Sequence, residues 1–349
     1  MSDFVIDGNG VLTEYRGAGG EVVIPDGVRV IGESAFRNCE SISSVIICGS
    51  VKIIEYAAFA CCKDLEKAVI FDGVTHICDF AFYECKKLKS VAFGKTLISV
   101  GDEAFGECGN IDRIYYSGSE EEYDAIAIGV DNYHLMFNDI YCNVVPNGDF
   151  VIGDGEYLVR YDGENEKSLT LPACIKELAP GVFSGCKELV YIDVEPENEY
   201  FSSIDGDLYS KDGKTFICRA RKKFELTVRL PEQITKIEKF SFFRVLGMIQ
   251  VIVPKNVEII GDSAFYGDTA LVIVELPASI KYIGSEAFQQ THLKRIYYRG
   301  NENDWKNVKI ADANGVFNKA TVYYYREDKP TDEGNYWHYD GEKGVMWEK

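Results

Sequence analysis

The chain has 349 residues, with 37 basic against 56 acidic side chains and a formal net charge of −19. That balance argues against a nucleic-acid partner, whose phosphates need Lys and Arg to displace counterions, and against docking on an anionic membrane. It suits a basic or neutral partner surface. A hydrophobic content of 46% is enough for a packed core, and no run nears the roughly 18 apolar residues of a membrane helix, so membrane insertion is not expected. The start, Met1-Ser2-Asp3-Phe4-Val5, has neither a basic nor a long apolar stretch. As written the chain is therefore expected in the cytoplasm, and at the cell surface or secreted if a leader is missing.

Along the chain, Phe36, Phe59, Phe82 and Phe105 stand 23 residues apart, and Phe242, Phe265 and Phe288 repeat the interval after Phe183 opens a second series. Five residues before each Phe come Ile31, Ile54, Ile77, Val100, Leu178, Ile237, Ile260 and Ile283, and eight before come Val28, Val51, Val74, Leu97, Ile175, Ile234, Val257 and Ile280. Six residues after stand Ile42, Leu65, Leu88, Ile111, Leu189, Met248 and Leu271, with Leu293 taking that role one place early in the last repeat. Columns aliphatic in every copy predict a repeat solenoid whose coils stack into one continuous core. The segment after each Leu alternates, as in Leu65-Glu66-Lys67-Ala68-Val69-Ile70, and predicts a strand of a parallel sheet on one face. The Ala-Phe segment predicts a short helical turn opposite.

The phrase Val74-Thr75-His76-Ile77-Cys78-Asp79-Phe80-Ala81-Phe82-Tyr83-Glu84-Cys85-Lys86-Lys87-Leu88 resembles the BspA-like leucine-rich repeat, with its aliphatic spacing, its Ala-Phe and a Cys three residues later. The resemblance extends over nearly the whole chain. It implies a curved solenoid that binds protein or matrix, often on bacterial surfaces, and it implies no catalytic site.

Two starts and two ends divide the repeats. Asp3-Phe4-Val5-Ile6 is echoed by Asp149-Phe150-Val151-Ile152, and Arg113-Ile114-Tyr115-Tyr116 by Arg295-Ile296-Tyr297-Tyr298. Ser119 with Glu122, and Asn301 with Asp304, mark a cap helix after each end. The expected organisation is a capped array over 1–145, a second over 146–325, and an aromatic hairpin or tail over 326–349. An insertion at about 195–225 carries Asp-Gly turn signals and reads as an over-long coil or a protruding recognition hairpin.

Catalytic chemistry is not in evidence. Cys39, Cys62, Cys85 and Cys108 recur with the repeat, as does Cys186, and read as small buried hydrophobes with reduced thiols. His76, His134, His292 and His338 have no metal-ligand spacing, and Asp7-Gly8-Asn9-Gly10 lacks the length of a calcium loop. No enzyme, cofactor or metal is expected.

A site is sought instead on the outward face of the sheet. The column ten residues after each Phe gives Ile46, Val69, Ala92 and Tyr115 in the first array, then Asp193, Ile252, Glu275 and, one place early, Tyr297, with Arg113, Tyr191 and Arg295 in the column two residues before. An apolar stripe with Arg beside Tyr is hot-spot composition. This reading is an adhesion-type, non-enzymatic module presenting its sheet faces to a protein partner. Two alternatives stand beside it: glycan binding through Trp337, Tyr339 and Trp347, and a structural spacer with no specific ligand.

Overall fold

Each 23-residue repeat makes one coil carrying two strands, and the coils hydrogen-bond to one another throughout. The protein is described here by a computed structural model, which defines residues 3–347 except 110, 154, 155, 164 and 342. Two compact units result, Met1–Gly155 and Glu156–Lys349.

In the first unit the short strands Val30–Ile31, Ile53–Ile54, His76–Ile77 and Ser99–Val100 pair in parallel, in register Ile31, Ile54, Ile77, Val100. The antiparallel hairpin Phe4–Ile6 and Val11–Tyr15 opens this sheet and Ala127–Ile128 closes it. The longer strands Gly20–Val23, Ile42–Ile47, Lys67–Ile70, Ser90–Phe93, Arg113–Tyr116 and Ile140–Tyr141 form a second parallel sheet. The aliphatic columns and the ladder phenylalanines fill the space between them, fully buried. Ring centroids of Phe36, Phe59, Phe82 and Phe105 follow at 4.6, 4.9 and 5.0 Å, close to parallel. Truncating one such Phe to Ala removes two stacked neighbours and costs about 3–5 kcal/mol.

Instead of the helical turn that the Ala-Phe pattern suggests, this side of each coil is a pair of tight turns. The residues two before and two after the Phe take the left-handed conformation: Ser34 and Asn38, Ala57 and Cys61, Phe80 and Glu84, Glu103 and Glu107. Reversing handedness twice keeps the coil flat, so that its amides point along the solenoid axis. Phe36, Phe59 and Phe82 each donate their backbone N–H to the Ala carbonyl of the next coil at 2.7 Å. The repeat cysteines complete this network. The Cys62, Cys85 and Cys108 thiols donate to the carbonyls of Phe36, Phe59 and Phe82 at 3.1–3.3 Å.

The second unit begins with Tyr157–Tyr161 beside Glu177–Leu178, and Ser168–Leu171 beside Tyr191–Val194. The insertion then proves to be a fresh start rather than a long coil or a protrusion. Strands Phe201–Ile204, Asp207–Ser210 and Thr215–Cys218 form an antiparallel ribbon, and the last of them pairs in parallel with Lys236–Ile237. Buried Leu208, Tyr209 and Phe216 seat the ribbon in the core. Buried Asn198 pins its entry, donating to the Pro172 and Ile175 carbonyls and accepting from the Tyr200 and Phe201 amides. From there a regular stack of Phe216, Phe242, Phe265 and Phe288 resumes at 4.6–4.8 Å.

Caps follow both arrays. Helices α1 (Glu120–Asp124), α2 (Tyr133–Phe137) and α3 (Glu302–Lys306) are single turns, and α1 and α3 carry complete capping boxes at Ser119 and Asn301. Among the described residues no helix is long and apolar enough to cross a membrane.

Candidate functional site

The outward sheet column is not open. In the first unit Val69, Ala92 and Tyr115 are buried, Tyr115 to 1% exposure, while Ile46 and Arg113 are half-buried. In the second unit Ile252 and Tyr297 are buried, while Tyr191 and Arg295 are exposed. The cause is the same in both units: a β-hairpin after the last coil folds back over the face.

In the first unit, Val144–Asn147 and Phe150–Gly153 form that hairpin, which lies against Arg113–Tyr116. Its turn reaches two strands further, where the Lys67 ammonium donates to the Gly148 carbonyl and lies 3.7 Å from the Asp149 carboxylate. In the second unit the hairpin is Tyr336–Asp340 with Lys343–Met346. Its Trp337 is fully buried, with its ring 5.3 Å from Tyr297 and its indole N–H donating to the Tyr298 carbonyl at 3.0 Å. Tyr339 donates its hydroxyl to buried Glu275, which also accepts from Arg299 Nε at 2.7 Å. The apolar stripe is thus an internal interface, which is why Ser90–Phe93 is buried at every residue.

The three tail aromatics are therefore no common platform. Trp337 is core, and Tyr339 is spent on Glu275. Trp347 has His338 stacked on one face at 3.8 Å, yet it borders a cavity of about 380 Å³ shared with Asp332, Glu333 and Tyr336.

Open apolar surface occurs elsewhere, on the cap of the first array. Asn132 closes the last coil there, accepting from the Phe105 amide and donating to the Gly101 and Gly129 carbonyls at 2.9 Å. Asn314 does the same work in the second unit, accepting from the Phe288 amide and donating to the Gly284 and Ala311 carbonyls. The two caps are thus two copies of one device, superimposable in sequence on these asparagines. Leu135 and Phe317 occupy one position and pack inward. Around them the copies diverge. The first cap exposes Val130, Tyr133, Met136 and Phe137, Phe137 at 78% and Tyr133 at 62%. The corresponding positions of the second cap hold Asp312, Gly315, Asn318 and Lys319. Folding does not require apolar residues at these four places, since the second cap closes its array without them. Asp124, Asp131 and Asp139 in the same cap segment add negative charge, and Tyr133 donates to Asp131 at 2.6 Å. Sequence reasoning passed over this group, although aligning the two caps on Asn132 and Asn314 exposes the difference.

Titratable chemistry is sparse. Among the described residues no cluster of three or more His, Cys, Asp or Glu side chains could hold a metal ion. Burial, with Cys62 adding to it, pushes the Cys39 thiol up to about 11, so this ladder member is a poor nucleophile at neutral pH.

Two parallel sheets running through the coils, a phenylalanine ladder between them and capped ends define a β-solenoid repeat scaffold. The family model for the BspA type leucine-rich repeat region matches residues 19–127 and 221–310 in six copies, more than half of the chain, and the protein belongs to that family. Solved structures similar to it include a leucine-rich repeat protein from Eubacterium ventriosum, 18% identical over 93% of this chain and 76% of that one, with a TM-score of 0.45. Another, from Bacteroides ovatus, is 20% identical over 93% of this chain and 100% of its own, with a TM-score of 0.34. The pneumococcal vaccine antigen PcpA is 18% identical over 93% and 91%, with a TM-score of 0.36. Comparison with curated proteins gives no match.

Proposed function

We propose that the protein is a non-enzymatic, adhesion-type docking module that engages a protein partner through the cap of its first array. The observation that carries this reading is the internal contrast between caps: Val130, Tyr133, Met136 and Phe137 are exposed where the second copy has Asp312, Gly315, Asn318 and Lys319. Exposed aromatic and Met side chains within an acidic rim suit a partner that offers an apolar cleft edged by Lys or Arg. The sheet faces, covered by the chain's own hairpins, serve stability.

The test grafts the second cap's residues onto the first, as Tyr133→Gly, Met136→Asn and Phe137→Lys in the 349-residue chain. These residues already sit at the same positions of a folded copy, so melting should hardly change. Partners are captured by crosslinking to wild type and quantified against the variant at low and at physiological salt. A partner that depends on the three residues, and binds more weakly as salt rises, supports the reading. Capture unchanged in the triple variant removes this surface from consideration.

A second reading has one observation in its favour, the cavity beside Trp347. Glycan binding there predicts saturable affinity for a sugar that Trp347→Ala abolishes and Trp337→Phe leaves intact.

A further inference from the structure

The stack of coils in the second unit is interrupted once, and the interruption leaves a chamber. Phe183 belongs to the repeat columns but has no place in the ring stack that begins at Phe216. Its aromatic contact is edge-on with Tyr161, at 5.7 Å and 66°. Between the two ladder segments the chain detours through the ribbon 201–218. A cavity of about 370 Å³ opens between the turn holding Phe183, the strand Thr215–Cys218 and the turn holding Phe240. A volume of this size accepts a small molecule of roughly ten to fifteen heavy atoms.

Its walls have two characters. Leu178, Val182, Phe183, Phe201, Ile217 and Phe243 give a largely aromatic and branched apolar lining. The polar lining is cationic, with Arg219, Arg221 and Lys239 against a single carboxylate, Glu238. Carboxylates neutralise two of these cations, whereas among the described residues Arg221 makes no ion pair. Lys239 is tied to Asp262 at 3.1 Å. Arg219 is buried, with one Nη donating to Asp207 and the other to Glu225 at 2.8 Å, and its Nε has no hydrogen-bond partner. That Nε is shut off from the chamber, so Arg219 bounds the site without offering it a free donor. Arg221 stands two residues on, its Nε donating to the Arg244 carbonyl at 3.1 Å.

We propose that this break in the solenoid is a binding site for a small aromatic carboxylate, its ring among the phenylalanines and its carboxylate on Arg221. The geometry is held in place: Gly181, with φ of +69°, lets its backbone lie against the Phe240 ring, which a Cβ would approach to 3.1–3.2 Å. The site is independent of the cap surface, since no cap residue lines it.

Calorimetric titration of the 349-residue chain with 3-phenylpropanoate and its neutral isostere 3-phenylpropanamide tests this. The acid should bind at least about tenfold more tightly than the amide, as a charge-assisted contact to guanidinium requires. Arg221→Gln should bring the acid down to the amide's affinity while leaving the melting temperature unchanged. Ala179→Trp, which fills the chamber, should abolish binding of both. Equal affinity of acid and amide for wild type overturns the proposal, as does absence of saturable binding up to about 10 mM. Undiminished binding to Arg221→Gln does so too, even where Ala179→Trp fails to fold.

Discussion

Left-handed residues flank the ladder phenylalanines of the regular coils, Phe36, Phe59, Phe82, Phe105, Phe242, Phe265 and Phe288, and this is where single side chains are most constrained. In these coils the position two after the Phe holds Asn38, Cys61, Glu84, Glu107, Arg244 and Gln290, all with φ between 54 and 63°, and Gly267 after Phe265. A β-branched side chain is far costlier in this region than an unbranched one, so Glu107→Val should destabilise by about 1–2 kcal/mol in urea unfolding, whereas Glu107→Gly should be neutral or mildly stabilising. The Cys column sets a second constraint. In the Phe265 coil it carries Asp268, which is fully buried, accepts from the Val245 amide at 2.7 Å and leaves Oδ2 without a partner. Burial pushes its carboxyl well above the usual carboxylate range, opposed in part by the Val245 amide and the charge of Arg219. The folded state therefore keeps a proton that the unfolded state releases above about pH 3.9. Its contribution is fully present below that pH and is lost as pH rises through the folded-state value. Asp268→Asn retains the acceptor for Val245 and has no proton to lose, so it should exceed wild type in stability at pH 7 and converge with it near pH 3.5. Asp207, also raised by burial, is common to both proteins and cancels in the difference. A wild type that gains on the variant with rising pH would show that the carboxylate is ionised and accommodated.

Hairpins that fold back over the sheet are the elements that most alter the functional reading. Removing the anchor of the second one tests whether it is held as tightly as its burial implies. Trp337→Ala deletes ring contacts with Tyr297, Tyr325 and Tyr339 and the indole bond to the Tyr298 carbonyl, and should cost about 3–5 kcal/mol. Near-ultraviolet dichroism and faster amide exchange across Arg295–Tyr298 would register the uncovered face, and unchanged exchange there would place the cover elsewhere. The solenoid itself was legible because its columns are aliphatic in every copy, and a periodicity of 23 leaves no other way to bury them. The cover was not. A strand such as Ser90-Val91-Ala92-Phe93 has the same apolar outward residue whether it meets solvent, a partner or a hairpin of its own chain, and only tertiary structure tells these apart. The turn was misread for a local reason, since Ala-Phe after an acidic residue fits a helix as well as it fits two left-handed reversals. At the cap the signal was present but relational: Tyr133 and Phe137 are unremarkable singly and informative only beside Gly315 and Lys319.

For the whole molecule, stacking identical coils predicts that length is adjustable in units of one repeat and in no other unit. Backbone bonds between coils run from neighbour to neighbour, with a few longer side-chain contacts such as Ser117 to Asp72, so stability is close to a sum of coil and interface contributions. Deleting residues 76–98 joins Thr75 to Ser99, and the parallel register His76 to Ser99 and Ile77 to Val100 means that the incoming strand matches the one removed. Phe105 would then lie on Phe59, and the Ala104 carbonyl would meet the Phe59 amide that now bonds to Ala81. The first array should fold, cooperatively and with lower stability, and shorten by about 4.8 Å. Deleting 76–95 instead leaves the following coil three residues out of step, burying charged side chains in the aliphatic columns, and that chain should not fold. The cover hairpin supplies a sharper criterion. Its turn spans from Arg113–Tyr116 to Lys67 across one intervening strand, Ser90–Phe93, which the 23-residue deletion removes. Lys67 then sits one strand too near, and the hairpin tip falls over Ser44 and Ile46, where no Lys awaits Asp149. Asp149→Ala should therefore lower stability in the parent array and have no effect in the shortened one, a double-mutant comparison that reads the reach of the hairpin directly. Equal effects in both backgrounds would mean that the Lys67 contact does not position the cover.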